Sequence, residues 1–221
     1  MGYSRDERLA LCTALEEAGP DAPTLCAGWT TGDLAAHLVL RERRPDAAAG
    51  IPGGPLARHM AQVQQRLAQT PYPALIAMIR GGPPRLSPWA IPALDERANT
   101  VEFFVHHEDV RRGAPGWKPR EISQGLSDTL WKRLGLARFT LRKVPVGVEF
   151  ARNDAGGGTD GGAGDAPEYR MTVRRGTPVL TVIGPPAELT LWATGRAAAA
   201  RVTLDGTEAA TATLTKIRWR L

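Results

Sequence analysis

The chain reads as an α+β protein, an N-terminal helical bundle over residues 1–143 followed by a smaller α/β domain over residues 144–221. Two observations predict this. Up to residue 143, apolar residues recur three and four apart and the runs are broken by proline and glycine, as amphipathic helices require. After Pro145 they fall into short β-branched runs with partial alternation, VGVEF, EYRMTV, PVLTVI and ATATLTKIRW, separated by turn residues. The 221 residues, 43% hydrophobic, 23% charged and 6% aromatic, suffice for at least one sizeable core. That composition excludes a disulfide-stapled, collagenous or wholly disordered chain.

The first helix is expected from an N-cap at Ser4, through Leu9, Leu11, Cys12 and Leu15, to the stop at Gly19 and Pro20. A second begins near Thr31, carries Leu34, His37, Leu38 and Arg41 along one stripe, and ends before Pro45. Residues 55–69 form a third with proline at its start, where the missing N–H costs nothing. A short helix follows at 72–80, then the longest uninterrupted helical pattern at 93–112 and one more at 121–142. Helices joined by short Pro/Gly loops pack most economically as a bundle. Among the strands, NDAGGGTDGGAGDAP at 153–167 is too glycine-rich to pack and reads as a hairpin loop. It lacks the Gly-Lys-Ser/Thr ending of a phosphate cradle. Residues 187–200 are expected as a helix interrupted or capped at Gly195, lying on the sheet.

The net charge of +5 comes from 28 basic residues against 23 acidic ones, and 24 of the 28 are arginine. Several sit at helix C-termini (Arg41, Arg43 and Arg44, then Arg111 and Arg112), where the macrodipole already favours them. With no helix-turn-helix, zinc-finger or RNA-binding signature, no nucleic-acid partner is expected. No run of about 18 apolar residues exists and the amino terminus has no signal-peptide pattern, so the expectation is a cytoplasmic protein without a membrane partner. Cys12 and Cys26 have no CxxC partner and read as reduced, partly buried small side chains.

Chemistry concentrates in the helix at 93–112. Glu102 and His106 are four apart, about 40° around a helix, so their side chains lie one above the other and can share a metal ion. The same spacing also occurs on solvated faces. Phe103, Phe104 and Val105 between them argue for enclosure, and a buried carboxylate needs a partner such as a divalent cation. Asn99 and Asp109 lie near the stripe and are placed to supply an outer shell. His37, on the apolar stripe of another helix, is either a satisfied core histidine or a third ligand, and two helices offering His, Glu and His to one interior build a site with an open position. His107 points about 100° away from His106, as a pocket base or as a structural group at a helix interface. Trp29 and Trp89 read as core plugs or as the rim of a pocket, and His59 as solvent-facing.

The segments CAGWTTGDLAAHL at 26–38, TVEFFVHHEDVRR at 100–112 and VIGPPAELTLWATGR at 182–196 resemble the DinB-like, mycothiol-dependent maleylpyruvate isomerase superfamily. Its members join a metal-binding four-helix bundle to a smaller C-terminal α/β domain. The resemblance implies zinc or another divalent metal on His37, Glu102 and His106, with mycothiol as thiol cosubstrate. The implied activity is S-transfer or thiol-assisted cis–trans isomerisation of a small electrophile. A metal-bound thiol is deprotonated, so no catalytic cysteine is needed. It also points to Arg196 as a bidentate holder of a carboxylate, the alternative being a surface arginine. A non-catalytic metal-binding protein of the same fold is the other functional reading.

Overall fold

A computed structural model describes residues 2–51, 53–84, 87, 90–154 and 169–215, with the side chains of 92, 143 and 213–215 outside the description. The chain divides into two compact units, Met1–Pro119 and Arg120–Leu221.

The first unit is helical: α1 (Tyr3–Ala18), α2 (Thr31–Arg43), α3 (Pro45–Ala48), α4 (Ala57–Leu67), α5 (Tyr72–Arg80) and α6 (Pro92–Arg111). Four of these share one core, into which α1 sends Leu11, Cys12 and Leu15, α2 sends Leu34 and Leu38, α5 sends Ile76 and Ile79, and α6 sends Phe103. Each such fully buried Leu, Ile or Phe contributes roughly 1.5–3 kcal/mol of transfer free energy. Helix α4 closes a smaller cluster through Val63 against Leu40 and Ala47. A capping box starts α2: Thr30 Oγ1 accepts from the Asp33 amide at 3.3 Å while Asp33 Oδ2 accepts from the Thr30 amide at 3.0 Å. The start of α1 differs from expectation. Ser4 lies inside the helix and its hydroxyl donates to Asp95. The orphan amides of Tyr3 and Ser4 are satisfied by Glu96 of α6, at 3.1 and 3.0 Å, so the cap comes from across the bundle.

The second unit contains α7 (Gln124–Leu134), α8 (Ala137–Thr140), β1 (Gly147–Arg152), β2 (Arg170–Arg174), β3 (Val179–Gly184), α9 (Pro186–Ala193), β4 (Thr203–Gly206) and α10 (Glu208–Thr215). The sheet order is β2-β1-β3-β4, with β1 parallel to β3 and antiparallel to β2, and β4 antiparallel to β3. Val148, Phe150, Leu180 and Val182 build its core with Leu189 and Trp192 of α9, the Trp192 ring meeting Phe150 edge-on at 5.9 Å.

The unit boundary falls at 119/120, earlier than the 143/144 read from sequence, because Trp131 and Leu134 of α7 enter the core of the sheet. The segment 121–142 is two helices parted at Gly135 and Leu136. The final run, expected as a strand at 210–219, begins instead as α10: Thr207 Oγ1 accepts from the Ala210 amide, and Ala210 is fully buried. Residues beyond 215 lie outside the described residues, as do Trp89 and most of the expected glycine-rich hairpin loop. Strand β4, mostly exposed and poor in apolar residues, was not expected. Helix α9 ends before Gly195, whose φ of 88° suits a left-handed stop. Among the described residues no helix is long and apolar enough to cross a membrane.

Candidate metal centre

Helical geometry brings Glu102 and His106 together on α6, with His106 Nε2 3.2 Å from Glu102 Oε1. Packing of α2 in the same bundle adds His37, whose ring meets that of His106 edge-on with centroids 5.7 Å apart. One donor atom each from His37, Glu102 and His106 lie within 4.8 Å of one another. Both histidines are buried, while the Glu102 side chain retains 28% of its exposure and marks the open side of the group. His37 Nδ1 is buried and makes no hydrogen bond. A buried ring nitrogen without a partner is costly in a finished core, and a cation held among these donors would offset that cost. Trp29 packs on the bundle core, as the core-plug reading expected, with its ring 5.0 Å from that of His37.

The ligand candidates are themselves held. Asp109, fully buried one turn after His106, lies with Oδ2 2.8 Å from His106 Nδ1. With Nδ1 turned to Asp109, Nε2 is the nitrogen that faces Glu102, the carboxylate–histidine arrangement that orients metal ligands. Cys26 Sγ lies 3.2 Å from the same Oδ2, and Cys26, His106 and Asp109 form a second close group. The loop carrying Cys26 is strapped to α6 by the Leu25 amide, which donates to the Asp109 carbonyl at 3.1 Å. Gly113 lets this loop approach, since a Cβ there would lie 2.0 Å from the Pro23 carbonyl oxygen.

On the other side Arg41, one turn after His37, sets Nε 3.2 Å from Glu102 Oε1 and donates through a second guanidinium nitrogen to Asn99 Oδ1 at 2.5 Å. Asn99 in turn donates to Asp95 at 2.6 Å. Asp95 pairs with Arg8 at 3.2 Å, and Arg8 with Glu42 at 2.6 Å. A ladder of polar contacts thus runs from α1 through α6 to Glu102.

These surroundings set the charges. Burial above all, then the neighbouring His106, pushes His37 down to about 4, leaving it a neutral donor near pH 7. Burial would raise Glu102, but the hydrogen bond and charge of His106, with Arg41 and His37, outweigh it and hold the carboxyl below the usual range. Burial likewise opposes protonation of His106, and the hydrogen bonds to Asp109, Cys26 and Glu102 overcome it, raising its pKa well above the ordinary value.

Of the residues singled out in the sequence, His37, Glu102 and His106 converge, and Asp109 and Asn99 stand behind them. His107 does not join them. Its Nδ1 lies 3.2 Å from Glu7 Oε2 of α1, so the 100° offset from His106 carries it to a buried pair at the α1–α6 interface. Arg196 belongs to the second unit, where its guanidinium donates to the Thr194 carbonyl at 2.6 Å. His59 is paired with Asp46 at 2.9 Å on an exposed face. Sequence reasoning missed Cys26, which sits in a loop with no spacing signal toward α6. It placed Arg41 on the His37 stripe without a role, although the i, i+4 relation to His37 was its signal.

Residues 3–87 match the family model described as mycothiol maleylpyruvate isomerase N-terminal domain. That stretch contains His37 and ends before Glu102 and His106. No curated protein and no solved structure matches the chain.

Proposed function

We propose that this chain, whose residues 3–87 match the family model described as mycothiol maleylpyruvate isomerase N-terminal domain, is a cytoplasmic, metal-dependent enzyme. It uses a low-molecular-weight thiol, mycothiol by the family's name, for S-transfer to, or cis–trans isomerisation of, a small electrophilic substrate. The observation that carries the reading is the convergence of the His37, Glu102 and His106 donor atoms within 4.8 Å in a mostly buried setting. Two nitrogens and a carboxylate oxygen suit zinc with a position left open.

When bound, the ion supplies positive charge that holds a thiol as thiolate, the nucleophilic form. The chain's own residues do the rest. Asp109 fixes the ring of His106 by accepting from Nδ1. His37 meets the ion already neutral and has no proton to release. Arg41 steadies the Glu102 carboxylate. Trp29, its ring 5.0 Å from that of His37, covers one side of the group, and the Glu102 side keeps its exposure. In the second unit, Arg196 is assigned to a substrate carboxylate, which its planar fork can hold through two parallel bonds.

Metal analysis tests the site. The wild-type protein is expected to hold about one equivalent of zinc or another divalent ion, and His106→Ala to lose most of it. Wild-type protein without metal, or His106→Ala with its metal unchanged, overturns the assignment. The metal-loaded protein is then incubated with mycothiol and a panel of electrophiles. Thiol-dependent conjugation or isomerisation is expected, with Arg196→Ala raising KM at unchanged metal content. Tight metal binding without turnover across the panel points to a binding protein of the same fold.

A further inference from the structure

Helix α4 meets α2 along one stripe, on which Met60, Val63 and Leu67 recur three and four apart and pack with Leu40 and Ala47. Gln64 falls on the same stripe, one position after Val63 and four after Met60. Leu40, in one cluster with Val63, follows His37 by three positions on α2. The turn of α4 that carries Gln64 thus lies beside the turn of α2 that carries His37. An amide on such a stripe is costly to take from water unless it finds a partner, and Leu or Met would fill the space without that cost.

Gln64 Oε1 is buried without a hydrogen-bond partner, and so is His37 Nδ1. The two atoms are complementary. An amide oxygen only accepts, whereas a neutral imidazole has one N–H to give, so a single bond from Nδ1–H to Oε1 satisfies both. Burial lowers the pKa of His37 most, and Gln64 works in the opposite direction, the sign of an amide oxygen turned toward a ring N–H. The pair stands short of bonding geometry, and the terminal torsion of glutamine is broad enough for a turn of the amide to close the bond.

A histidine that gives one ring nitrogen to a metal ion keeps its proton on the other, and an acceptor for that proton fixes the tautomer and the tilt of the ring. Beside His106 that place is taken by Asp109. We infer that Gln64 is the corresponding acceptor for His37, taking the Nδ1 proton and leaving Nε2 to the ion. The inference rests on the metal-site reading above and adds to it the residue that selects the ligating nitrogen of His37. Gln64 is a positioning residue, acting through His37 rather than by bonding the ion. The ion then offsets the cost at Nδ1 indirectly, because an imidazole bound through Nε2 carries its proton where Oε1 can accept it.

Two measurements on the full chain test this. In the zinc-loaded wild type, a long-range proton–nitrogen correlation spectrum distinguishes a protonated ring nitrogen from a metal-bound one. His37 is expected to carry its proton on Nδ1 and zinc on Nε2, and the reverse assignment overturns the inference whatever any variant does. Zinc affinity is then measured by chelator competition in wild type, Gln64→Met and Gln64→Ala. Methionine keeps the length and packing of the side chain and removes the acceptor. Gln64→Met is therefore expected to bind zinc about tenfold more weakly, and Gln64→Ala at least as weakly. Zinc held by Gln64→Met within about twofold of wild type, with or without a loss in Gln64→Ala, shows a packing role only and overturns the inference. Should Gln64→Met fail to fold, the wild-type spectrum decides alone. Wild-type protein that takes up no zinc refutes the metal-site reading itself, and this inference with it.

Discussion

Replacing Asp109 by Asn tests how the candidate centre is organised while hardly changing side-chain volume. The carboxylate is fully buried and accepts from His106 Nδ1 at 2.8 Å, with Cys26 Sγ 3.2 Å from the same oxygen. An amide at this position lacks the charge and, in one of its two orientations, turns a donor toward Nδ1. A hydrogen bond to a charged group contributes about 1.5–3 kcal/mol, and its loss frees the ring to adopt the wrong tautomer. At about 1.4 kcal/mol per tenfold, metal affinity is expected to fall about 10- to 100-fold. Competition with a chelator of known affinity measures the change, and circular dichroism confirms that the variant is folded. A folded Asp109→Asn protein that holds zinc within about twofold of wild type would refute the claim that this carboxylate orients His106.

Two further predictions separate structure from chemistry. His107→Ala removes one partner of the buried pair with Glu7 and is expected to cost roughly 3 kcal/mol of stability, read as a lower Tm, while metal content stays the same. Loss of the metal instead would place His107 in the centre. Burial pushes the Cys12 thiol up to about 11 from its ordinary 9.0. The unfolded thiol ionises first, so the unfolded chain binds fewer protons between these values. Native stability present below pH 9 therefore declines by roughly 3 kcal/mol as pH rises to about 11. Denaturant titrations across that range should show this part of the decline vanishing in Cys12→Ala. Equal slopes in the two proteins would show that burial does not hold the thiol protonated.

The elements that sequence anticipated well are those whose signal is local and repeated. Helices α2, α5 and α6 lie within a residue or two of their expected limits because proline, glycine and the 3.6-residue period mark their ends. The misses share a cause. In α10 the alternation of ATATLT imitates a strand, and the cap at Thr207 with the burial of Ala210 favours a helix. Ser4 is a good capping residue by type, but Glu96, some ninety positions away, took that role. The helix α7 looked like bundle by its period, and only the destination of Trp131 and Leu134 assigned it to the second unit. Among the arginines at helix ends, Arg43 donates to the carbonyls of Met78 and Gly82, Arg44 pairs with Asp46, and Arg111 and Arg112 pair with Glu108.

By itself the sequence determined the α+β class and the pairing of Glu102 with His106, because an angle between neighbours on one helix follows from backbone geometry alone. The same geometry separated His106 from His107. Tertiary structure decided that His37 faces that pair, that His107 goes to Glu7, and that Cys26 and Arg41 stand on either side of the candidate ligands. Such meetings join residues about sixty or more positions apart, so they are set by how α1, α2, α6 and the Cys26 loop pack, and no local pattern encodes that packing.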